Sequence, residues 1–100
     1  MSSPVARREA EILNPKGLHM RPSTRFVKLA GTFRSDVRVL HNGKTANGKS
    51  ILDMAILAAE FGAKIDIQAE GPDSEEAVAA LADLVAAHFH MENDGDNEVV

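Results

Sequence analysis

One histidine in this sequence stands where it could carry a phosphoryl group. His19 follows Gly17 and Leu18 and precedes Arg21 and Pro22, in a run where a loop is predicted to become a helix. The free N–H groups at a helix start and the positive end of the helix dipole favour a negative group. A neutral imidazole has a lone pair that can attack phosphorus, and an arginine offers a planar fork of donors to the phosphoryl oxygens. The pattern therefore indicates phosphoryl transfer with His19 as the nucleophile.

The same residues also have structural interpretations. On its short motif alone, His19 is explained equally well as a residue that caps a helix or fills a polar corner. Arg21 can be a solvated residue of the first turn, although a cation there opposes the helix dipole by about 0.3–1 kcal/mol unless an anion visits. Pro22 is structural, because a proline in the first turn loses no intrahelical hydrogen bond. The choice between these interpretations depends on the rest of the chain.

Composition limits the kind of protein that can hold this site. The 100 residues are enough for one domain with a single core. The absence of cysteine excludes thiolate nucleophiles and cysteine-based zinc sites, and is compatible with a reducing cytosol. The net charge of −4 and the lack of Trp and Tyr argue against nucleic acid binding. Because the sequence has no signal-peptide core and no apolar run long enough to cross a bilayer, we expect a soluble, cytoplasmic protein.

Seven elements are predicted to position the site. Apolar residues recur at strand or helix spacing along most of the chain, and Asn42-Gly43 is the pair preferred in a type I′ hairpin turn. Strands are predicted at residues 7–13, 36–41, 44–46 and 63–70, and helices at residues 21–31, 51–59 and from 73 onward. Each strand has one apolar face and the helices have matching stripes. We therefore expect an α+β open-faced sandwich, a four-stranded antiparallel sheet with three helices on one face in the order βαββαβα.

Two of the helix starts have the spacing of a capping box. Ser50 precedes the apolar run at Ile51, and Asp53 follows three residues later. Asp73 and Glu76 have the same spacing before the last helix, which is predicted to be the longest. Its buried stripe is predicted to comprise Val78, Leu81, Leu84, Val85 and Phe89.

One domain is predicted to span residues 1–92. Residues 93–100 are rich in Asp, Asn and Glu and have no hydrophobic periodicity. Such a composition buries too little apolar surface to fold alone, so we expect these residues to form a mobile acidic tail.

Two motifs in this order resemble the HPr family, the histidine-containing phosphocarriers of the bacterial phosphotransferase system. They are Gly17-Leu18-His19-Met20-Arg21-Pro22 and Asn47-Gly48-Lys49-Ser50-Ile51, and the likeness extends over roughly residues 7–90. The resemblance implies that His19 accepts a phosphoryl group through Nδ1 from Enzyme I, which phosphoenolpyruvate charges, and passes it to an enzyme IIA domain in sugar transport. Arg21 would neutralise charge on the phosphoryl group. The protein would be a carrier and not an enzyme, without a cofactor or metal.

Ser50 has a second role by the same resemblance. In many bacteria the HPr kinase phosphorylates the matching serine, and roughly −2 of added charge would disturb a partner that docks on that face. Asp53 departs from the family, where glycine or a basic residue is common, and its carboxylate would oppose such a phosphate. Capping and regulation are both compatible with Ser50.

The resemblance also implies a contact patch for partner proteins. We expect it to be apolar in the middle and basic at the rim, which suits acidic partners. Its predicted members are Met20, Thr24, Lys28, Lys49, Ile51 and Leu52. The protein is expected to be a monomer that neither binds nucleic acid nor inserts into a membrane.

A function of another class stays open beside the carrier. The chain could be a regulatory HPr-like or nitrogen-type binding module in a partial phosphotransferase system. In that case the state of Ser50, and not phosphoryl flux through His19, would carry the signal. The two functions differ in which of these residues a partner depends on.

Overall fold

A computed structural model describes residues 4–57 and 59–91, and within them it confirms the predicted α+β order of elements. Four strands form one open antiparallel sheet, and three α-helices alternate with them as predicted. The strands are β1 (Val5–Glu11), β2 (Asp36–His41), β3 (Lys44–Asn47) and β4 (Lys64–Glu70). The helices are α1 (Met20–Ala30), α2 (Ile51–Leu57) and α3 (Ser74–Ala86), and a short 3-10 turn follows at His88–His90. The predicted tail at residues 93–100 lies outside the described residues.

The sheet has the strand order β1-β4-β2-β3, so β4 lies between the first two strands of the sequence. Its alternation is strict, since Ile65, Ile67 and Ala69 are buried while the residues between them are half-buried. Ile67 and Ala69 lie opposite Val39 and Val37 of β2, which are also buried. The period-two pattern thus sets one face of the sheet against the core.

The core lies between that face and the helices. Phe26 of α1, Met54 of α2, Leu81 of α3 and Ile67 of β4 are completely buried. Full burial of a side chain of this size contributes about 1.5–3 kcal/mol. Since α1 contacts both α2 and α3, the three helices form one layer over the sheet.

Turn and cap chemistry explain most of the element boundaries. Asn42 and Gly43 have φ angles of 52° and 79°, as the predicted type I′ turn requires. The Oγ of Ser50 accepts the N–H of Asp53 at 3.2 Å, which confirms the predicted cap of α2. In a capping box the carboxylate of Asp53 would accept the N–H of Ser50. It accepts the N–H of Asn47 instead, at 3.1 Å.

Two elements differ from the sequence prediction by two residues. Strand β1 covers residues 5–11 and not 7–13, because its pairing with β4 begins at Val5 opposite Glu70 and ends at Glu11 opposite Lys64. Helix α2 ends at Leu57 and not at residue 59. The carbonyl of Ala59 instead accepts the N–H of Leu18 at 2.8 Å, which directs it to the loop before His19.

The prediction that the Asp73 side chain caps the last helix is wrong. Asp73 is the N-cap residue of α3 but makes no capping hydrogen bond with its side chain. Its carboxylate accepts the N–H groups of Arg34 and Ser35, each at 2.9 Å, and the Ser35 hydroxyl at 2.6 Å. The Ser35 hydroxyl and the Arg34 N–H lower the pKa of Asp73 below its ordinary value of 3.8. Asp73 therefore joins α3 to the segment that leads into β2.

The last helix is the longest, as predicted, but it ends at Ala86, before Phe89. His88, Phe89 and His90 have φ angles of 54°, 57° and 59°, a left-handed turn that costs about 1–2 kcal/mol per residue. Phe89 is completely buried by this turn and so joins the core from outside the helix. No helix in residues 4–57 and 59–91 has both the length and the apolar character that a membrane crossing requires.

Candidate functional site

His19 is the N-cap residue of α1. Its backbone is extended, with φ −92° and ψ −164°, and its carbonyl accepts the N–H of Ser23 at 3.0 Å as the helix begins. The residue is half-buried, and the first turn of the helix contains no acidic residue. His19 therefore lies beside the positive end of the helix dipole, where a phosphoryl group would be favoured.

The loop before His19 contacts the segment after α2. Gly17 has a φ of +73°, and a Cβ at this position would lie 2.7 Å from the carbonyl oxygen of Ala59. Leu18 is buried and donates its N–H to the same carbonyl, while the His19 N–H bonds to the Gly17 carbonyl at 3.1 Å. A glycine is thus required for the loop to approach the segment after α2 and turn into the helix.

A second contact joins this loop to the end of the fold. Asn14 is completely buried, and its carbonyl accepts the Gly17 N–H at 2.9 Å to close the turn. Its side-chain Nδ2 donates to the carbonyl of His88 at 3.3 Å. The loop that leads into His19 is therefore tied to the left-handed turn that follows α3.

Arg21 is exposed in the first turn of α1, beside a shallow pocket of about 410 Å³. Met20, Thr24, Arg25 and Lys28 line the rest of the pocket, and the Thr24 hydroxyl donates to the Met20 carbonyl at 2.8 Å. Three cations and no carboxylate are found among the described residues that line it. Such a pocket suits phosphoryl oxygens or the acidic side chains of a partner.

The predicted contact patch is divided between two helices. Met20, Thr24 and Lys28 share the pocket on α1, while Ile51 and Leu52 are exposed on the adjacent α2, at 37% and 66% of their surface. The two helices contact each other, so the two groups lie on neighbouring elements.

Lys49 and Arg25 differ from the predicted patch. The Nζ of Lys49 donates to the carbonyl of Phe33 at 2.8 Å, which directs its charge to the segment after α1. Arg25 lines the pocket but was not predicted as a site residue, although its spacing of four from Arg21 on a helix was a sufficient signal. Ser50 is half-buried at the start of α2, where it caps the helix.

Comparisons with known proteins agree with this arrangement. A family model described as "PTS HPr component phosphorylation site" matches residues 6–87. The phosphocarrier protein HPr of Cupriavidus necator is 40% identical over 85 residues, which cover 85% of this chain and 96% of that protein. The phosphocarrier protein HPr of Neisseria meningitidis is 41% identical over the same shares of the two chains.

Solved structures show the same similarity. The crystal structure of HPr-C-His from Thermoanaerobacter tengcongensis has a TM-score of 0.82 and 39% identity, covering 87% of this chain and 98% of that one. An HPr dimer from the same organism has a TM-score of 0.68 and 42% identity, covering 79% and 91%. The solution structure of Crh, the catabolite repression HPr of Bacillus subtilis, has a TM-score of 0.61 and 36% identity, covering 80% and 95%.

Proposed function

Because the chain belongs to the HPr family of phosphocarriers, we propose that His19 accepts a phosphoryl group from Enzyme I in the cytoplasm and donates it to an enzyme IIA domain. The observation that carries this proposal is the position of His19 as a half-buried N-cap residue of α1, with Arg21 in the same turn. A ring in that position can meet one partner to be charged and a second partner to be discharged.

Each transfer forms one bond and breaks one. The Nδ1 lone pair of His19 attacks the phosphorus, and the bond from phosphorus to the Enzyme I histidine breaks, with its electron pair returning to that imidazole. The proton on the other nitrogen of each ring stays in place. The N–H groups at the start of α1 and the Arg21 guanidinium stabilise the charge on the phosphoryl oxygens during the exchange. Transfer to an enzyme IIA histidine repeats the exchange and restores His19.

A carrier must also keep water from attacking its phosphoramidate. The described residues of the pocket beside Arg21 include no carboxylate that could act as a general base. Although the main chain of Glu60 passes close to Gly17, Glu60 lines a separate pocket with His41 and Phe61. This distribution of acids supports a carrier over a hydrolase.

Incubation with phosphoenolpyruvate and Enzyme I tests the proposal. We expect one acid-labile, alkali-stable phosphate on His19, which intact-mass and peptide analysis would locate. His19→Ala should abolish this phosphate, while His41→Ala at the hairpin should retain it. Absence of phosphate with several Enzyme I proteins, or its retention in His19→Ala, would overturn the proposal.

A regulatory role of Ser50 is the second candidate, and the position of Ser50 favours it. Its hydroxyl caps α2 immediately before the exposed Ile51 and Leu52. A phosphate on Ser50 would therefore add negative charge beside a surface that we expect to bind acidic partners. The similar Crh protein is described as a catabolite repression HPr, a regulatory name within the same family.

The two candidates are separated by binding measurements. If Ser50 carries the signal, Ser50→Asp should change the affinity for a partner while His19→Ala leaves it intact, and an HPr kinase should phosphorylate Ser50. If phosphoryl flux carries the signal, His19→Ala should abolish sugar-dependent phosphoryl transfer, while Ser50→Ala should retain this transfer. Normal signalling by Ser50→Ala would exclude the regulatory candidate.

A further inference from the structure

The basic surface beside His19 continues along α1 into a groove. This groove, named here the α1 groove, has a volume of about 450 Å³ and lies between α1, α3 and the left-handed turn. It is lined by Arg25, Lys28, Leu29, Thr32, Leu84 and His90. Arg25 and Lys28 also line the pocket beside Arg21, so the two depressions form one surface. None of the described residues that line this surface is acidic.

The charge that would complement this groove is in the chain itself. Residues 92–100 contain four carboxylates, no Lys or Arg and two valines, and the other residues contain 11 basic and 11 acidic side chains. The whole net charge of −4 therefore belongs to this segment. The match to the family model ends at residue 87, before the segment begins.

The described residues that precede the segment lie at the groove. His90 lines the groove, Met91 is buried, and the His88 carbonyl is bonded to Asn14 in the loop that leads into His19. Nine extended residues can span about 30 Å. The 11 residues of α1 rise by only about 16 Å, so the segment is long enough to follow the helix from the groove to its N-terminus.

The acidic residues of the segment and the cations of α1 both recur at short intervals. Glu92, Asp94, Asp96 and Glu98 alternate with other residues, so a carboxylate recurs at every second position of the segment. On α1 the cations Lys28, Arg25 and Arg21 are three and four residues apart, which is about 4.5–6 Å along the axis.

We propose that residues 92–100 bind the α1 groove of their own chain and compete with acidic partner proteins for the surface beside His19. The competition rests on the proposed carrier function, whereas the binding does not. Ion pairs at an exposed surface are individually weak and are screened by salt, so a partner can displace the segment. Attachment to the same chain gives the segment a high effective concentration that compensates for this weakness.

The binding is tested by amide NMR spectra of the full chain. The reference is the variant Glu92→Gln/Asp94→Asn/Asp96→Asn/Glu98→Gln, which keeps the length of the segment. We expect the amide shifts of Arg25, Lys28, Leu29 and Leu84 to differ between the two proteins at about 20 mM salt and to converge at about 1 M, where the Debye length is near 3 Å. Shift differences confined to residues adjacent to the substitutions would overturn the proposal. Differences that grow with protein concentration would also overturn it, because they indicate binding to a second copy.

A charge exchange separates a specific groove from a general attraction. In the Arg25→Glu/Lys28→Glu background, neutralising the segment should no longer change the amide shifts of Leu29 and Leu84. Replacing the four acidic residues of the segment with lysine in this background should restore a shift difference at both residues. The matched control is Lys44→Glu/Lys64→Glu, which makes the same charge change at two exposed lysines away from the groove. If this control removes the differences equally well, the segment responds to net charge and the proposal fails.

Competition is measured as phosphorylation of His19 by Enzyme I. With the neutralised segment, kcat/KM should rise about two- to fivefold at low salt, and the gain should vanish at high salt. An unchanged kcat/KM at low salt would overturn the competition. If neither protein is phosphorylated while the NMR shifts still differ, the carrier function has failed and the bound segment stands.

Discussion

A cation in the first turn of a helix opposes the helix dipole, and Arg21 has this position in α1 with no acidic residue in the turn. An anion bound at this helix start would offset that cost. We predict that Arg21→Gln slows the phosphorylation of His19 by Enzyme I about tenfold. This is less than the loss of a buried oxyanion donor, because solvent reaches Arg21. Rapid-quench measurements with excess Enzyme I would give the rate.

Two further variants show whether the guanidinium or only its charge matters. Arg21→Lys should recover part of the rate but not all of it, because an ammonium cannot offer two parallel donors. Arg34→Gln removes an exposed arginine outside the pocket and is expected to leave the rate unchanged. If Arg21→Gln transfers as fast as the unaltered protein, Arg21 has no role in the reaction.

Gly17 is the residue that determines how closely the loop approaches the segment after α2. Gly17→Ala would place a Cβ 2.7 Å from the Ala59 carbonyl and would keep an unfavourable φ of +73°. We predict a loss of about 2–5 kcal/mol in the free energy of unfolding, from the left-handed backbone and the overpacked contact together. Urea denaturation followed by circular dichroism would measure it.

The hairpin turn supplies the control for this variant. Gly43 has a φ of +79° but has no atom within 4 Å of an added Cβ. Gly43→Ala should therefore cost only the backbone term of about 1–2 kcal/mol. Equal losses for the two variants would mean that the contact with Ala59 does not constrain the loop.

At the residue scale, the sequence predicted the features that depend on neighbouring residues of the chain. The helix start at His19 and the cap by Ser50 follow from neighbours within four residues, and the structure has both. The partner of Lys49 could not be predicted, because the Phe33 carbonyl is 16 residues away and only the packed fold brings it to the ammonium.

At the element scale, Asp73 connects α3 to the segment before β2. Its pKa is lowered by the Ser35 hydroxyl first and the Arg34 N–H second. A carboxyl whose pKa is lower in the folded than in the unfolded chain stabilises the fold above its unfolded pKa. This contribution is lost as the pH falls through the folded value. We predict that Asp73→Asn is less stable than the unaltered protein near neutral pH, and that the difference shrinks as the pH falls below about 4.

Urea midpoints at a series of pH values would measure this difference, and Ser35→Ala identifies its source. In the Ser35→Ala background, Asp73→Asn should have a smaller effect, because the hydrogen bond with the largest influence on the pKa is already absent. Additive effects of the two substitutions, or a stability difference independent of pH, would contradict the assignment.

Ser50 and Asp73 show why identical sequence spacing gives different caps. Each precedes a helix and has an acidic residue three positions later. Ser50 bonds to its own helix, whereas Asp73 bonds to Ser35, which is 38 residues away. Gly71 has no side chain and lets Ser35 approach closely, since an added Cβ would lie 2.6 Å from the Ser35 Oγ. A tertiary partner therefore replaces the local one, and a local pattern does not contain that information.

At the scale of the whole molecule, the alternation of polar and apolar residues was enough to predict the layers and the order of the elements. One buried face per strand and one stripe per helix permit few arrangements other than a single helical layer on a sheet. The structure differs from the sequence prediction at the residues that follow α3. The stripe that includes Phe89 has helical spacing, but Phe89 reaches the core through a left-handed turn whose backbone cost is offset by its complete burial.

The exposed surfaces of the sheet bear on the oligomeric state. The open face of the sheet is polar, with an ion pair from Arg7 to Asp66 at 2.6 Å and a longer one from Arg38 to Glu70 at 3.7 Å. The edge strands are also poorly suited to pairing. β1 has four charged residues among its seven, and β3 has only four residues.

We therefore predict that the protein is a monomer of 10.7 kDa from micromolar to sub-millimolar concentration, as sedimentation equilibrium would show. Arg7→Val/Arg38→Val replaces the charges of the open face with apolar side chains and should promote association, since the helices leave that face uncovered. A mass near twice that of one chain for the unaltered protein would contradict the prediction. In that case, a valine variant that dimerises no more strongly than the unaltered protein would show that the contact lies on another surface. The exposed Leu52 and Ile56 of α2 would be the next residues to substitute.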